Sequence, residues 1–274
     1  MSDESRSRWA TSAAGWAEQA DRMAQATMPV STWLIDAVGP QPGQTLLELA
    51  AGPGDVGLLA AELVEPGGTV ICSDFSPEML TVAQSRARAR GLTNVRFRQI
   101  DLRVPIDQPA ASVDGVLCRW GYMLLDDPQA ALRETRRVLK TGARLALAAW
   151  TGPQENRWSS APHDALVALD RLPAPDRNAP GQFTWGAEGL IAEHLEAAGF
   201  TEHVVDTVSF SMRFESERAW WRSVRTMSAA VREVAESMPE EEVMPALEDA
   251  AAPFRADDGS LEFPARTWVA AAAA

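Results

Sequence analysis

Between residues 45 and 150 the chain alternates five short apolar runs with segments carrying helix-start and helix-stop signals, and no other feature restricts the fold as much. The runs are 45–50 (TLLELA), 68–74 (GTVICSD), 95–101 (VRFRQID), 113–119 (VDGVLCR) and 143–150 (ARLALAAW), bounded by Gly, Pro, Asp or Asn. Short runs bounded in this way read as strands. Between them, SPEMLTVAQSRARARG supplies Ser76 as N-cap, Pro77 at the first helical position, Glu78 in the first turn and Gly91 past the end. DDPQAALRETRRVLKTG repeats the scheme with Asp127, Pro128 and Gly142. Such residues satisfy the free N–H groups of a helix start, complement its dipole or release the chain at its end. Strands and helices in alternation connect by right-handed crossovers, which predicts an α/β, doubly wound, mainly parallel sheet covered on both faces.

Further on, 187–200 reads as a helix, 201–214 as a longer strand and the run from Leu261 as a final strand. Two segments interrupt the pattern. Residues 151–186 are rich in Pro and polar side chains. Residues 216–258 contain Trp220, Val224, Met227, Val231, Val234 and Met238 at spacings of three and four, which predicts one amphipathic helix ending in the acidic PEEE at 239–242. Insertions after the fifth and sixth strands lie where lids and substrate pockets are built in such sheets. The expected organisation is an N-terminal helical cap (1–44), an α/β core (45–214) with a lid insertion at 151–186, a helical insertion (215–260) and the core's final strand (261–274). In the cap, Trp9 and Trp16 share a helical stripe with Ala13, Ala20 and Met23. That stripe reads first as packing onto the sheet, and alternatively as part of an acceptor pocket.

Charge narrows the function. With 25 Lys and Arg against 38 Asp and Glu the net charge is −13, which repels phosphate backbones and anionic lipid and argues against a nucleic-acid partner. Cys72 and Cys118 fall inside apolar runs, as reduced core thiols of a cytoplasmic protein do. The first thirty residues contain no continuous apolar stretch, and no run is long enough to span a membrane. Three isolated histidines and two distant cysteines provide no metal-ligand spacing.

The turn after the first strand, LLELAAGPGDVG, carries the chemistry. In an open α/β sheet a ligand binds outside the carboxyl ends of the strands, and Gly52 and Gly54 remove the Cβ atoms that would obstruct it. Asp74, 20 residues beyond Gly54 at the end of the second run, suits a carboxylate accepting from ribose hydroxyls. A dinucleotide G-x-G-x-x-G aligned on Gly52 requires glycine at 50 and 55, where the chain has Ala50 and Asp55. Glu48 adds a second acid at the mouth, which suits a cationic ligand better than a pyrophosphate.

These residues, with VICSDFSPEML, VRFRQIDL, VDGVLCRWGYML and LKTGARLALAAW, resemble the class I S-adenosylmethionine-dependent methyltransferases, nearest to the ubiquinone/menaquinone-biosynthesis type and its small-molecule relatives. The resemblance is strong over 45–150 and fades in both insertions. It implies a Rossmann-like fold with seven strands, the last antiparallel, and S-adenosylmethionine as cofactor. It also implies roles: Glu48 as the acid ending the first strand, Ala50, Gly52 and Gly54 as the loop beside the methionine moiety, and Asp74 as the ribose carboxylate. Phe75 and Met79 would flank the adenine, Asp101 would meet its amino group with Leu102 beside it, and the Cys118 main chain would meet the methionyl amine. Ala50 stands where the family more often has glycine, which a negative φ there allows.

For the acceptor, a small organic molecule, the expected contacts are Arg119, Trp120 and Tyr122 after the fourth strand, with Asn156 and Trp158 in the first insertion. Arg119 has a second reading as a strand-end arginine paired with a neighbouring acid. His163, near Asn156, Trp158 and Ser160, is the candidate general base, set against an ordinary packing role. Methyl transfer from a sulfonium needs few catalytic side chains, so the cofactor is legible where the acceptor is not. Two other readings stay open. One is an NAD(P)-dependent oxidoreductase, disfavoured by Ala50 and Asp55. The other is a non-catalytic S-adenosylmethionine-binding or partner-binding protein in which the 216–238 helix mediates association, a homodimer included.

Overall fold

The structure is a computed structural model that describes residues 3–176 and 179–274, with the side chains of 3–10, Trp9 among them, outside the described set. Seven strands form one sheet: β1 (Thr45–Glu48), β2 (Thr69–Asp74), β3 (Val95–Gln99), β4 (Val113–Arg119), β5 (Leu139–Trp150), β6 (Thr201–Phe214) and β7 (Leu261–Ala273). Their order is β3-β2-β1-β4-β5-β7-β6. β1 to β5 pair in parallel, and β7 runs antiparallel between β5 and β6. The doubly wound, mainly parallel sheet with an antiparallel last strand is the architecture expected.

Ten helices accompany the sheet among the described residues: α1 (Asp3–Ala26), α2 (Met28–Val38), α3 (Asp55–Leu63), α4 (Pro77–Ala89), α5 (Pro128–Val138), α6 (Arg157–Ala168), α7 (Leu190–Ala197), α8 (Glu217–Met227), α9 (Ala229–Ser237) and α10 (Glu240–Ala251). The caps are those read from the sequence. The Ser76 hydroxyl accepts the Met79 N–H at 3.2 Å, and Asp127 Oδ1 accepts that of Ala130 at 2.9 Å.

Strand alternation splits the core into two layers. Leu46, Val70, Leu117, Ala146 and Val269 point to one face and pack with Val30 and Leu34 of α2 and Val56 and Ala60 of α3. Leu47, Ile71, Val116, Leu145 and Ala270 point to the other, against Leu132 of α5, Leu166 of α6, Leu195 of α7 and Trp220 of α8.

Three details differ from the sequence reading. The 216–238 run is two helices, because Ser228 leaves helical geometry (φ −108°, ψ 113°) and its hydroxyl accepts the Val231 N–H to start α9. The acidic PEEE opens α10 instead of closing a helix, placing Glu240, Glu241 and Glu242 at the positive end of its dipole. Gly142, read as a helix terminator, lies inside β5 at φ +76°, since Leu139 already pairs with Val113.

Candidate active site

The strand order reverses at β1, which has β2 on one side and β4 on the other, so a crevice opens at the carboxyl ends of β1 and β4. A cavity of about 100 Å³ lies there. Its wall includes Glu48 from the end of β1, Ala50, Ala51 and Gly52 from the following turn, and Asp74, Phe75 and Met79 from the end of β2 and the start of α4. Pro53, Arg119, Trp120, Leu124 and Trp16 complete it.

The turn holds its shape through main-chain bonds and left-handed residues. The Ala51 N–H donates to the Ser73 carbonyl and that of Gly54 to the Ala51 carbonyl, both at 2.9 Å. Ala50 has φ +50°, not the negative φ that would make alanine unremarkable, so it carries strain that glycine would not. The two glycines differ in purpose. A Cβ on Gly52 (φ +53°) would meet no atom beyond its chain neighbours within 4 Å and would project into open space. One on Gly54 (φ +83°) would press on Ala83 Cβ at 3.1 Å and Leu58 Cγ at 3.2 Å, so Gly54 serves helix packing and forms no part of the wall.

Two buried acids, Glu48 and Asp74, line the cavity. The buried Asp74 carboxylate accepts the Gly52 N–H through Oδ2 and the Ser76 N–H through Oδ1, each at 2.9 Å, and so ties the turn to α4. Burial raises its pKa. Glu48 is 2% exposed, its Oε2 has no hydrogen-bond partner, and burial pushes its carboxyl up to about 7. Beside it, the buried Asp55 carboxylate takes Arg86 Nη1 on one oxygen and Arg119 Nη2 on the other, both at 2.5 Å. Arg119 also donates to Thr27 Oγ1 at 2.5 Å and Ser31 Oγ at 3.1 Å. The arginine thus has the ion-pair role set out as its second reading, and it faces the acid-lined cavity.

A second cavity, of about 300 Å³, shares Trp16, Trp120 and Leu124 with the first. The rest of its wall comes from α1 (Ser12, Met23), the segment after β4 (Met123), the end of β5 (Trp150), α6 (Trp158, Ser159), Gln182, and α8, α9 and their junction (Val224, Met227, Ser228, Ala229, Ala230). Trp120 lines both spaces. Its ring stacks on Trp150 at 4.2 Å and 13°, and the Arg119 guanidinium lies 4.6 Å from its centroid. Two groups that close to one ring must occupy opposite faces. Trp120 has φ +62°, and its Nε1 donates to Thr267 Oγ1 at 2.9 Å. Left-handed backbone is rare for a bulky residue and is held only where its surroundings fix it.

The remaining candidates lie apart from both walls. Asp101 sits beyond β3, its Oδ2 at 3.0 Å from Arg103 Nη2, and Leu102 is buried in the core. Cys118 is fully buried, with its thiol pushed up to about 12 by that burial. The Tyr122 hydroxyl pairs with Thr135 Oγ1 at 2.7 Å under α5, and its ring stacks on Trp185. Asn156 is a structural link: Nδ2 donates to Thr151 Oγ1 and the Arg266 carbonyl, both at 3.0 Å, while Oδ1 accepts the Arg266 N–H. His163 is half-buried on α6, and burial lowers its pKa. Residues of this wall outside the acceptor reading are Met123, Leu124, Trp150, Gln182 and Met227. For Trp16 the signal was present, because Ser12, Trp16 and Met23 share one helical face, but a packing stripe and a cavity wall look alike.

The acid-lined cavity fits S-adenosylmethionine by its donor set. Carboxylates suit the ribose and the ammonium, Gly52 leaves room for close approach, and Phe75 and Met79 offer apolar surface for a base. Residues 40–172 match the family model described as a methyltransferase domain. Demethylmenaquinone methyltransferase of Thermus thermophilus is 37% identical over 175 residues, covering 62% of this chain and 76% of that relative. The chain belongs to the S-adenosylmethionine-dependent methyltransferases. Another member, nocamycin O-methyltransferase of Saccharothrix syringae, is 34% identical over 184 residues. That match covers 64% of this chain and 65% of the relative, just under two thirds of its length. In fold, this methyltransferase-family chain superposes on the YcgJ protein of Bacillus subtilis with a TM-score of 0.56 at 19% identity, covering 89% of this chain and 97% of that one.

Proposed function

We propose that this chain transfers a methyl group from S-adenosylmethionine to a small, flat, largely apolar organic acceptor. The observation that carries the reading is the adjacency of an acid-lined cavity at the β1/β4 crevice to an aromatic cavity, with Trp16, Trp120 and Leu124 common to both. Bound in the first, the cofactor supplies a methyl group already activated by its positive sulfur. Asp74 would accept from the ribose hydroxyls, Glu48 would balance positive charge, and Phe75 and Met79 would cover the base. The tryptophans of the second cavity would hold a ring system in line and exclude water, which is most of what this reaction asks of a protein.

Among the described residues, no helix is long and apolar enough to cross a membrane, and no cluster of three or more His, Cys, Asp or Glu is placed to hold a metal. Buried free Cys72 and Cys118 are in keeping with a cytoplasmic site of action. His163 is not needed as a base in this proposal.

The test is release of S-adenosylhomocysteine across a library of aromatic acceptors, followed by a variant that separates the cavities. Trp158 lines the second cavity only. Trp158→Ala should raise the acceptor KM by about tenfold or more, the scale of losing an aromatic contact, and leave the cofactor Kd within about twofold. A fall in cofactor affinity with no change in acceptor KM would oppose this division of roles.

A further inference from the structure

The larger cavity is made of uncharged groups throughout its described wall: four tryptophans, three methionines, Leu124, Val224, and small or amide side chains. Among the described residues that line it, none ionises. Arg119, the arginine on the wall of the adjoining cavity, has its charge engaged by Asp55 at 2.5 Å and lies against the Trp120 ring.

This constrains the acceptor, granting the methyl-transfer reading above. A neutral phenol, or a neutral ring attacked at carbon, must lose a proton, and no group on that wall can take it. An amine acceptor would leave an ammonium that only tryptophan faces meet on this wall, because the acids stand on the adjoining one. An oxygen that arrives as an anion meets neither difficulty. Its lone pair forms the bond to the methyl carbon while the carbon–sulfur bond breaks, and the pair from that bond stays on sulfur. An anion and a sulfonium become a neutral methyl ester or enol ether and a neutral thioether, with no proton released. The loss of two opposite charges gains from a surrounding that solvates them poorly.

We propose that the acceptor is a flat molecule carrying an oxygen already ionised at neutral pH, a carboxylate or an acidic enol, and that the sulfonium of the cofactor is its counter-ion in the cavity. The binding of acceptor and cofactor is then coupled through charge. Because binding energies are reciprocal, the coupling can be read without turnover.

Isothermal calorimetry on the whole chain tests this with two cofactor analogues: sinefungin, which carries an ammonium where the sulfonium stands, and S-adenosylhomocysteine, whose sulfur is neutral. The probes are 2-naphthoate and the 4-hydroxycoumarin anion, with 2-naphthamide and 2-naphthylmethylammonium as neutral and cationic counterparts. At least one anion should bind the sinefungin complex about tenfold or more tightly than the S-adenosylhomocysteine complex. The amide should bind both within about twofold, and the ammonium should not prefer the sinefungin complex. Equal affinity of the anions for the two complexes, no binding of either anion to either complex, or a preference of the ammonium for the sinefungin complex would overturn the proposal. If neither nucleoside binds the chain, the methyl-transfer reading falls and this inference with it. If both bind and the coupling is absent, only this inference falls.

Discussion

Gly52→Val is expected to weaken S-adenosylmethionine binding at least about 100-fold while leaving the sheet folded. Gly52 has φ +53°, and its Cβ position opens on space where no atom beyond its chain neighbours lies within 4 Å. A side chain there enters the volume assigned to the ligand without colliding with the core. A β-branched residue at positive φ adds roughly 1–2 kcal/mol of backbone strain, and occupation of the ligand's space supplies the rest of the roughly 2.7 kcal/mol that a 100-fold loss represents. Calorimetry gives the affinity, and circular dichroism shows whether the fold survives. Gly52→Ala should fall between the two. A valine variant that binds cofactor within about threefold of the wild type would mean that this turn does not face the ligand.

Glu48 should make stability depend on pH in a direction opposite to that of most carboxylates. Burial lifts its folded pKa from an ordinary 4.5 to about 7, so between those values the folded state binds more protons than the unfolded chain. The sign follows. The group's contribution to stability is full below pH 4.5, declines as pH rises through the window from 4.5 to 7, and stays at its lower level above it. A shift from 4.5 to about 7 corresponds to about 3 kcal/mol. Glu48→Gln, which cannot ionise, should resemble the wild type at pH 5 and exceed its stability at pH 8 by up to that amount. Urea denaturation of both proteins at the two pH values reads this directly, and the difference between them cancels the titrating groups that do not interact with Glu48. A gap between the proteins that is the same at pH 5 and pH 8 would contradict it. Asp74, also raised by burial, adds to the wild type's dependence with the same sign.

The sheet was legible because local signals agreed with the global fold. Bounded apolar runs alternated with capped helices, and the two-residue period of β1, β2, β4 and β5 sorted their side chains to two faces as the layers require. Where local signals are ambiguous, the reading slipped. The spacing Trp220, Val224, Met227, Val231, Val234 continues in phase across Ser228, so periodicity cannot register a one-residue break that the serine hydroxyl then caps. The three glutamates of PEEE suit a helix start by their charge, a signal that apolar periodicity does not contain.

The two cavities divide along the same line. Glu48, Ala50, Gly52, Asp74, Phe75 and Met79 lie within 32 residues of one another in sequence, in a turn whose geometry is set by neighbouring strands, and the structure gathers them on one wall. The other cavity draws Trp16, Trp120, Trp150, Trp158, Gln182 and Met227 from segments spread over most of the chain. No local pattern announces that meeting. Tyr122 and Asn156 show why proximity in sequence is a poor guide: each lies within two residues of a cavity residue, Met123 in one case and Trp158 in the other, and each turns inward to hold the fold together.

The measurement closest to the central claim is a calorimetric titration of the wild-type chain and Asp74→Ala with S-adenosylmethionine, S-adenosylhomocysteine and NAD. The acid-lined cavity at the β1/β4 crevice predicts binding of both sulfur nucleosides at one site per chain and no comparable binding of NAD. Asp74→Ala should lose roughly 1.5–3 kcal/mol of that affinity, the scale of hydrogen bonds to a charged group. Tighter binding of NAD than of S-adenosylmethionine, or an Asp74→Ala variant that binds the nucleosides as well as the wild type, would contradict the assignment of this cavity.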